Sequence, residues 1–139
     1  MSSDLRGDLV AALAGFYTGH PDVERYPMLS EVGGLLAAAD VVINEPVVLP
    51  AARLLADVDP ESDVPGVGPV LRTFAAAALI LHWVQTAEYV ATLSQHFLDN
   101  YGYVRVIGPG GLVESSVVSA GLGVWGAGLH YPRHEHPAE

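Results

Sequence analysis

Tyr101–Glu139 reads YGYVRVIGPGGLVESSVVSAGLGVWGAGLHYPRHEHPAE, and this stretch decides the fold because the texture of the chain changes at its first residue. YGYVRVIG, Tyr101–Gly108, is a β-type run, and Pro109–Gly111 is a turn. LVESSVVS, Leu112–Ser119, is a second run carrying β-branched Val113, Val117 and Val118. LGVWGAGLHYPRHEH, Leu122–His136, is punctuated by glycine and predicts one or two further strands.

Upstream the pattern is helical. In Asp4–Tyr17 the residues Leu5, Leu9, Ala12, Leu13 and Phe16 fall on one stripe of a 3.6-residue period. Ser3 or Asp4 can cap that helix, and Gly19-His20-Pro21 ends it. A second helix is expected over Met28–Ala39, weakened by Gly33-Gly34 by about 1 kcal/mol per glycine relative to alanine. A short helix follows at Pro50–Ala56. Asp57–Pro69, rich in proline, glycine and acids, is a loop. From Val70 to about Asn100 the chain reads as helical again, with an interruption near His82–Thr86.

The order is therefore helices first and strands second. Three or four strands leave open sheet edges, whereas a closed antiparallel barrel needs about eight. The expected fold class is α+β: a helical N-terminal region over 1–100, then over 101–139 the first strands of an antiparallel β-barrel that is incomplete in this chain.

Composition narrows the function classes. The 139 residues suit one domain, half of them are apolar, and there is no cysteine, so a metal would be held by imidazole and carboxylate. The net charge is −10, lysine is absent and the six arginines are scattered. That excludes a nucleic-acid surface, which needs a concentrated basic patch, and disfavours anionic membranes. The apolar run Phe74–Leu81 is far shorter than the roughly 20 residues of a membrane span. The start, MSSDLRGDL, carries acids where a secretory leader is basic, so a cytoplasmic protein is expected.

His130, His134 and His136 crowd the end of the sequence. If Tyr131–His136 is a strand, His134 and His136 project to one face and Glu135 to the other, so the two imidazoles can share one metal ion. On a helix they would stand about 200° apart. Among the other histidines, His20 sits in a turn, and His82 and His96 lie on stretches read as helical, so packing or solvent is expected for them rather than metal. Trp83 and Trp125 are expected in the core. Tyr101 and Tyr103 are expected to begin a strand.

Gly128, His134 and His136 match the opening of the cupin motif, G-x5-H-x-H. More specifically, WVQT (Trp83–Thr86), FLDNYGY (Phe97–Tyr103), IGPGG (Ile107–Gly111) and above all HYPRHEHPAE (His130–Glu139) resemble the dimethylsulfoniopropionate lyase family of cupins. The resemblance covers His82–Glu139. It implies a cupin-type barrel and cleavage of dimethylsulfoniopropionate, a small zwitterion, into dimethyl sulfide and acrylate by β-elimination. It implies a divalent transition metal (zinc, iron, manganese, nickel or cobalt) on His134 and His136. It also implies that Tyr131 acts as base or substrate-orienting hydroxyl. The family's glutamate ligand, second tyrosine and last histidine would fall beyond Glu139. The sequence is therefore expected to be the N-terminal portion of a lyase, inactive alone, with a homodimer formed by strand exchange as a further expectation.

The chemistry is coherent. Lewis-acid coordination of the substrate carboxylate would stabilise charge as the α-proton leaves. Free tyrosine, with a pKa of about 10, needs a nearby cation to serve as base. Aromatic faces, with Trp83, Trp125, Tyr101 and Tyr103 as candidates, could hold the sulfonium by cation–π attraction. Two other readings stand beside this one: another metal-dependent cupin enzyme such as an isomerase or dioxygenase, and a non-catalytic helical dimerisation module.

Overall fold

The computed structural model describes residues 4–133. Helix α1 spans Leu5–Thr18, capped by Asp4, whose carboxylate accepts from the Gly7 amide at 3.0 Å. It buries Leu9, Val10, Leu13 and Ala14. Helix α2, Met28–Ala38, packs across α1 through Val32, Gly33 and Leu36. Gly33 has a packing reason: a Cβ there would collide with the Thr18 methyl and stand 3.1 Å from the Ala14 carbonyl. The glycine that weakens α2 as an isolated helix is what lets the two helices approach.

A 3-10 helix at Pro50–Asp57 leads into the acidic loop, and α3 spans Val67–Ala77. The stretch from Val70 to Asn100, read as helical, is broken where an interruption was expected, near His82–Thr86. After α3 the chain forms a two-residue strand β1, Trp83–Val84, then two short helices, α4 (Ala87–Thr92) and α5 (Gln95–Asp99). Trp83 explains the break. Its amide donates to the Val47 carbonyl, its indole N–H to the Ala78 carbonyl, and its ring stacks on Phe74 at 5.3 Å. Those contacts hold the backbone extended.

Strands β2 (Tyr101–Ile107) and β3 (Ala120–Trp125) complete an antiparallel sheet of order β1-β2-β3. The sheet therefore reaches back to residue 83, inside the stretch read as helical. It is open rather than closed. The expected strand over Leu112–Ser119 is not formed. Val113 makes only an isolated bridge to Ile107, and the Ser115 hydroxyl accepts the amides of Val117 and Val118. Serine competing for backbone amides turns the chain where its valines alone would extend it. No described helix is long and apolar enough to cross a membrane.

One sheet face packs on the helices. Val104, Val106 and Val124 join Leu9, Leu13, Leu36, Val70, Phe74 and Trp83 in one core. The other face is left for the site.

Candidate active site

Strand alternation sets the site's geometry. In the β2–β3 register Tyr101 lies opposite Trp125, Tyr103 opposite Gly123 and Arg105 opposite Gly121. Residues paired across an antiparallel ladder share a face, so these six line the face turned away from α1, α2 and α3. Trp125 is accordingly not in the core, as expected for it, but 46% exposed, and its indole folds over Gly123, where any Cβ would collide with the ring. Trp83, at the opposite parity, is 1% exposed and belongs to the core.

At one end of this face the rings gather. Tyr101 is buried beneath Tyr89 of α4 and Phe97 of α5, with centroids at 5.8 and 5.2 Å. Trp125 stands 5.9 Å from Tyr101. Tyr131 closes the group, edge-on to Trp125 at 5.3 Å and stacked on Phe97 at 6.4 Å, with Tyr89 at 6.0 Å and Tyr101 at 6.3 Å. Tyr131 reaches this position because the chain turns after β3: the Leu129 amide donates to the Gly126 carbonyl, and Gly128 takes φ +75°, a backbone state that side chains disfavour.

The corner under the cluster is pinned. Gln85 Nε2 donates to the carbonyls of Leu98 and Tyr101 at 2.8 and 2.9 Å. The Arg53 guanidinium donates to the Pro50 and Asp99 carbonyls, both at 2.7 Å, and to Asn100 Oδ1 at 3.0 Å. The Gly126 amide donates to the Asn100 carbonyl at 2.8 Å. These bonds fix where β2 begins and β3 ends, hence where Tyr101 and Trp125 meet.

The electrostatics keep the phenols protonated. Burial raises the Tyr101 pKa, opposed by its hydrogen bond with the Thr86 hydroxyl at 3.0 Å. The Tyr131 pKa is pushed up to about 12, by burial first, then by its hydrogen bond with Tyr89 and the charge of neighbouring phenols. In these surroundings Tyr131 is a hydrogen-bond donor, and it becomes a base only beside a positive charge.

Of the sequence candidates, the structure brings Tyr101, Trp125 and Tyr131 together, sets Tyr103 beside them at 6.3 Å from Tyr101, and removes Trp83 to the opposite face. Tyr131 and the following two residues are not in a strand, and His134 and His136 lie outside the described residues. Among the described residues no group of three His, Cys, Asp or Glu side chains could hold a metal. Tyr89 and Phe97 were not foreseen. They sit eight positions apart on two helices, and only the tertiary fold aims both at Tyr101.

Residues 20–139 match the sequence profile described as dimethylsulfoniopropionate lyase. The chain belongs to the dimethylsulfoniopropionate lyase family. Within that family it is 31% identical over 111 residues to dimethylsulfoniopropionate lyase DddQ of Ruegeria pomeroyi, across 78% of this chain and 54% of the relative. A chain from the crystal structures of the DMSP lyases RdDddP and RnDddQII superposes with a TM-score of 0.67 at 20% identity, over 88% of this chain and 58% of the other. At that identity the structural likeness speaks for the fold alone, and it agrees with helices followed by an open antiparallel sheet. The family chain spans about half the length of the curated relative it matches.

Proposed function

We propose that this chain carries the aromatic part of a metal-dependent cupin lyase that splits dimethylsulfoniopropionate into dimethyl sulfide and acrylate by β-elimination in the cytoplasm. The observation that carries the reading is Tyr131. The tyrosine three positions ahead of the H-x-H pair of HYPRHEHPAE packs against Tyr89, Phe97, Tyr101 and Trp125 on the open sheet face.

The donor chemistry of His134 and His136 fits a borderline divalent ion such as zinc, iron, manganese, nickel or cobalt. These two residues would hold it, and such an ion supplies Lewis acidity toward the substrate carboxylate. Two imidazoles are fewer than the three protein ligands usual in catalytic zinc sites, and no glutamate stands at the motif position within these 139 residues.

The chain's own rings do the rest. Trp125 and Tyr89 offer π-faces to the sulfonium, worth about 0.5–2 kcal/mol per contact depending on desolvation, and the buried Tyr101 supports them from beneath. Tyr131, at the edge of that cluster, orients the substrate as a donor. It takes the proton next to the carboxylate when positive charge beside its oxygen lowers its pKa. Dimethyl sulfide departs neutral, so no general acid is required. The substrate is a small zwitterion, and an open sheet permits a homodimer.

Headspace dimethyl sulfide over the protein as its host makes it, loaded with each metal in turn, tests the reading. Release that disappears in Tyr131→Phe and in His136→Ala, with the fold intact, is the expected result. Oxygen uptake without dimethyl sulfide would replace the lyase with an oxygenase.

A further inference from the structure

The same sheet face carries a second concavity at its far end. There a cavity of about 350 Å³ is lined by His82, Val84, Gln85, Tyr103, Arg105 and the Pro109-Gly110 turn. Trp83 pairs with Val104, so continuing the register by one position sets His82 opposite Arg105. We propose that this His82–Arg105 pair, with the Tyr103 hydroxyl, forms a binding site for a small monocarboxylate, separate from the Tyr131 cluster.

Arg105 carries the argument. It is half-buried, and its guanidinium has five N–H donors. One nitrogen donates to the Pro109 carbonyl at 3.0 Å. No carboxylate lies within ion-pair distance of it among the described residues, although the chain has 16 acids and only 6 arginines. The acid of the adjoining loop is otherwise engaged: Glu114 Oε2 accepts the Gly110 amide at 3.0 Å. An arginine fixed by one bond to a turn, and without a counter-charge, presents its remaining fork to an anion from outside.

His82 complements it. Its Nδ1 lies 2.8 Å from the Glu45 carbonyl, which can only accept, so Nδ1 carries the proton. That leaves Nε2 as the nitrogen with no partner among the described residues. A planar carboxylate matches the guanidinium fork. A multivalent anion would meet stronger repulsion from a chain of net charge −10.

The site is distinct from the aromatic end. Arg105 lies four positions from Tyr101 along β2, roughly 13 Å at the rise of a strand. The sulfonium and carboxylate of dimethylsulfoniopropionate are only three bonds apart, well short of that spacing, and Tyr103, 6.3 Å from Tyr101, lies between the two ends. The inference does not rest on the lyase reading.

Titration of the 139-residue chain with propionate at constant ionic strength, followed by ¹H–¹⁵N NMR, tests it. Saturable shifts at Arg105 Nε and Gly110, with contacts from the propionate methyl to the Tyr103 ring, are expected. Arg105→Gln should weaken binding about tenfold or more. Arg105→Lys, which keeps the charge and loses the fork, should lose a measurable part of that. Should Arg105→Gln fail to fold, Arg105→Lys and the wild-type contacts decide. Absence of saturation, equal affinity in the folded arginine variants, or inorganic phosphate binding as tightly as propionate would overturn the carboxylate site. The titration reads binding alone, so its failure leaves the lyase reading standing, and the dimethyl sulfide assay does not depend on Arg105.

Discussion

Tyr131 should be among the last tyrosines of this protein to ionise. Its pKa is pushed up to about 12, against about 10 for a free phenol. At pH 11 it should then be about one-tenth ionised, where a free tyrosine is about nine-tenths ionised. Burial is the largest cause and the Tyr89 hydrogen bond the next. Tyr89→Phe should therefore bring the pKa down part of the way and leave it above 10. The assay is a pH titration of ¹³Cζ-labelled tyrosine by NMR, with Tyr131 assigned through Tyr131→Phe. Titration of Tyr131 near 10 in the metal-free chain, or no response to Tyr89→Phe, would refute the reasoning. The sign for stability follows. Between about pH 10 and 12 the folded chain holds a proton that the unfolded chain has released. The unfolded state binds fewer protons there, so stability is complete below pH 10 and falls as pH rises through the window. Burial also raises Tyr17 and Tyr101, which act in the same direction. The urea midpoint should be lower at pH 11 than at pH 9.

Other outcomes are equally open to measurement. Gly33→Val should destabilise by about 1–3 kcal/mol, because its side chain must displace Thr18 at the α1–α2 crossing; urea unfolding by circular dichroism reads it. Phe74→Ala removes a ring that is 3% exposed and stacked on Trp83, and by the same method should cost about 3–5 kcal/mol. Arg53→Ala should lower stability by about 1 kcal/mol, since its bonds are exposed, and accelerate hydrogen exchange at the Gly126 amide, which hangs from the same corner. His136→Ala should weaken divalent-metal binding about tenfold or more in calorimetric titration; unchanged affinity would remove His136 from the ligand set.

Local signals were legible in the sequence and non-local ones were not. The apolar stripe of Leu5–Phe16 and the cap at Asp4 place α1 to within a residue, and Tyr101–Ile107 reads as a strand because its residues prefer one. Strand β1 escaped because its extended state is set by Val47 and Val104, which are remote in sequence. Leu112–Ser119 misled because its valines carry the β signal, while the turn comes from one serine hydroxyl. The two tryptophans show the limit best. Nothing local distinguishes them, yet the register puts Trp83 in the core and Trp125 on the open face. Tyr131 was found from the residues after it, whereas Tyr89 and Phe97 required the fold.

Those two tryptophans are the only ones in the chain, and they stand on opposite faces of one three-stranded sheet. Emission from the folded protein is therefore a sum of two populations that a small neutral quencher can separate. Trp83, sealed between Phe74 and the sheet, reports whether the core is intact. Trp125, open to solvent and in contact with Tyr131, reports what lies on the face. A molecule settling on that face would shield one indole and leave the other unchanged, so binding and unfolding carry separate optical signatures without any added label.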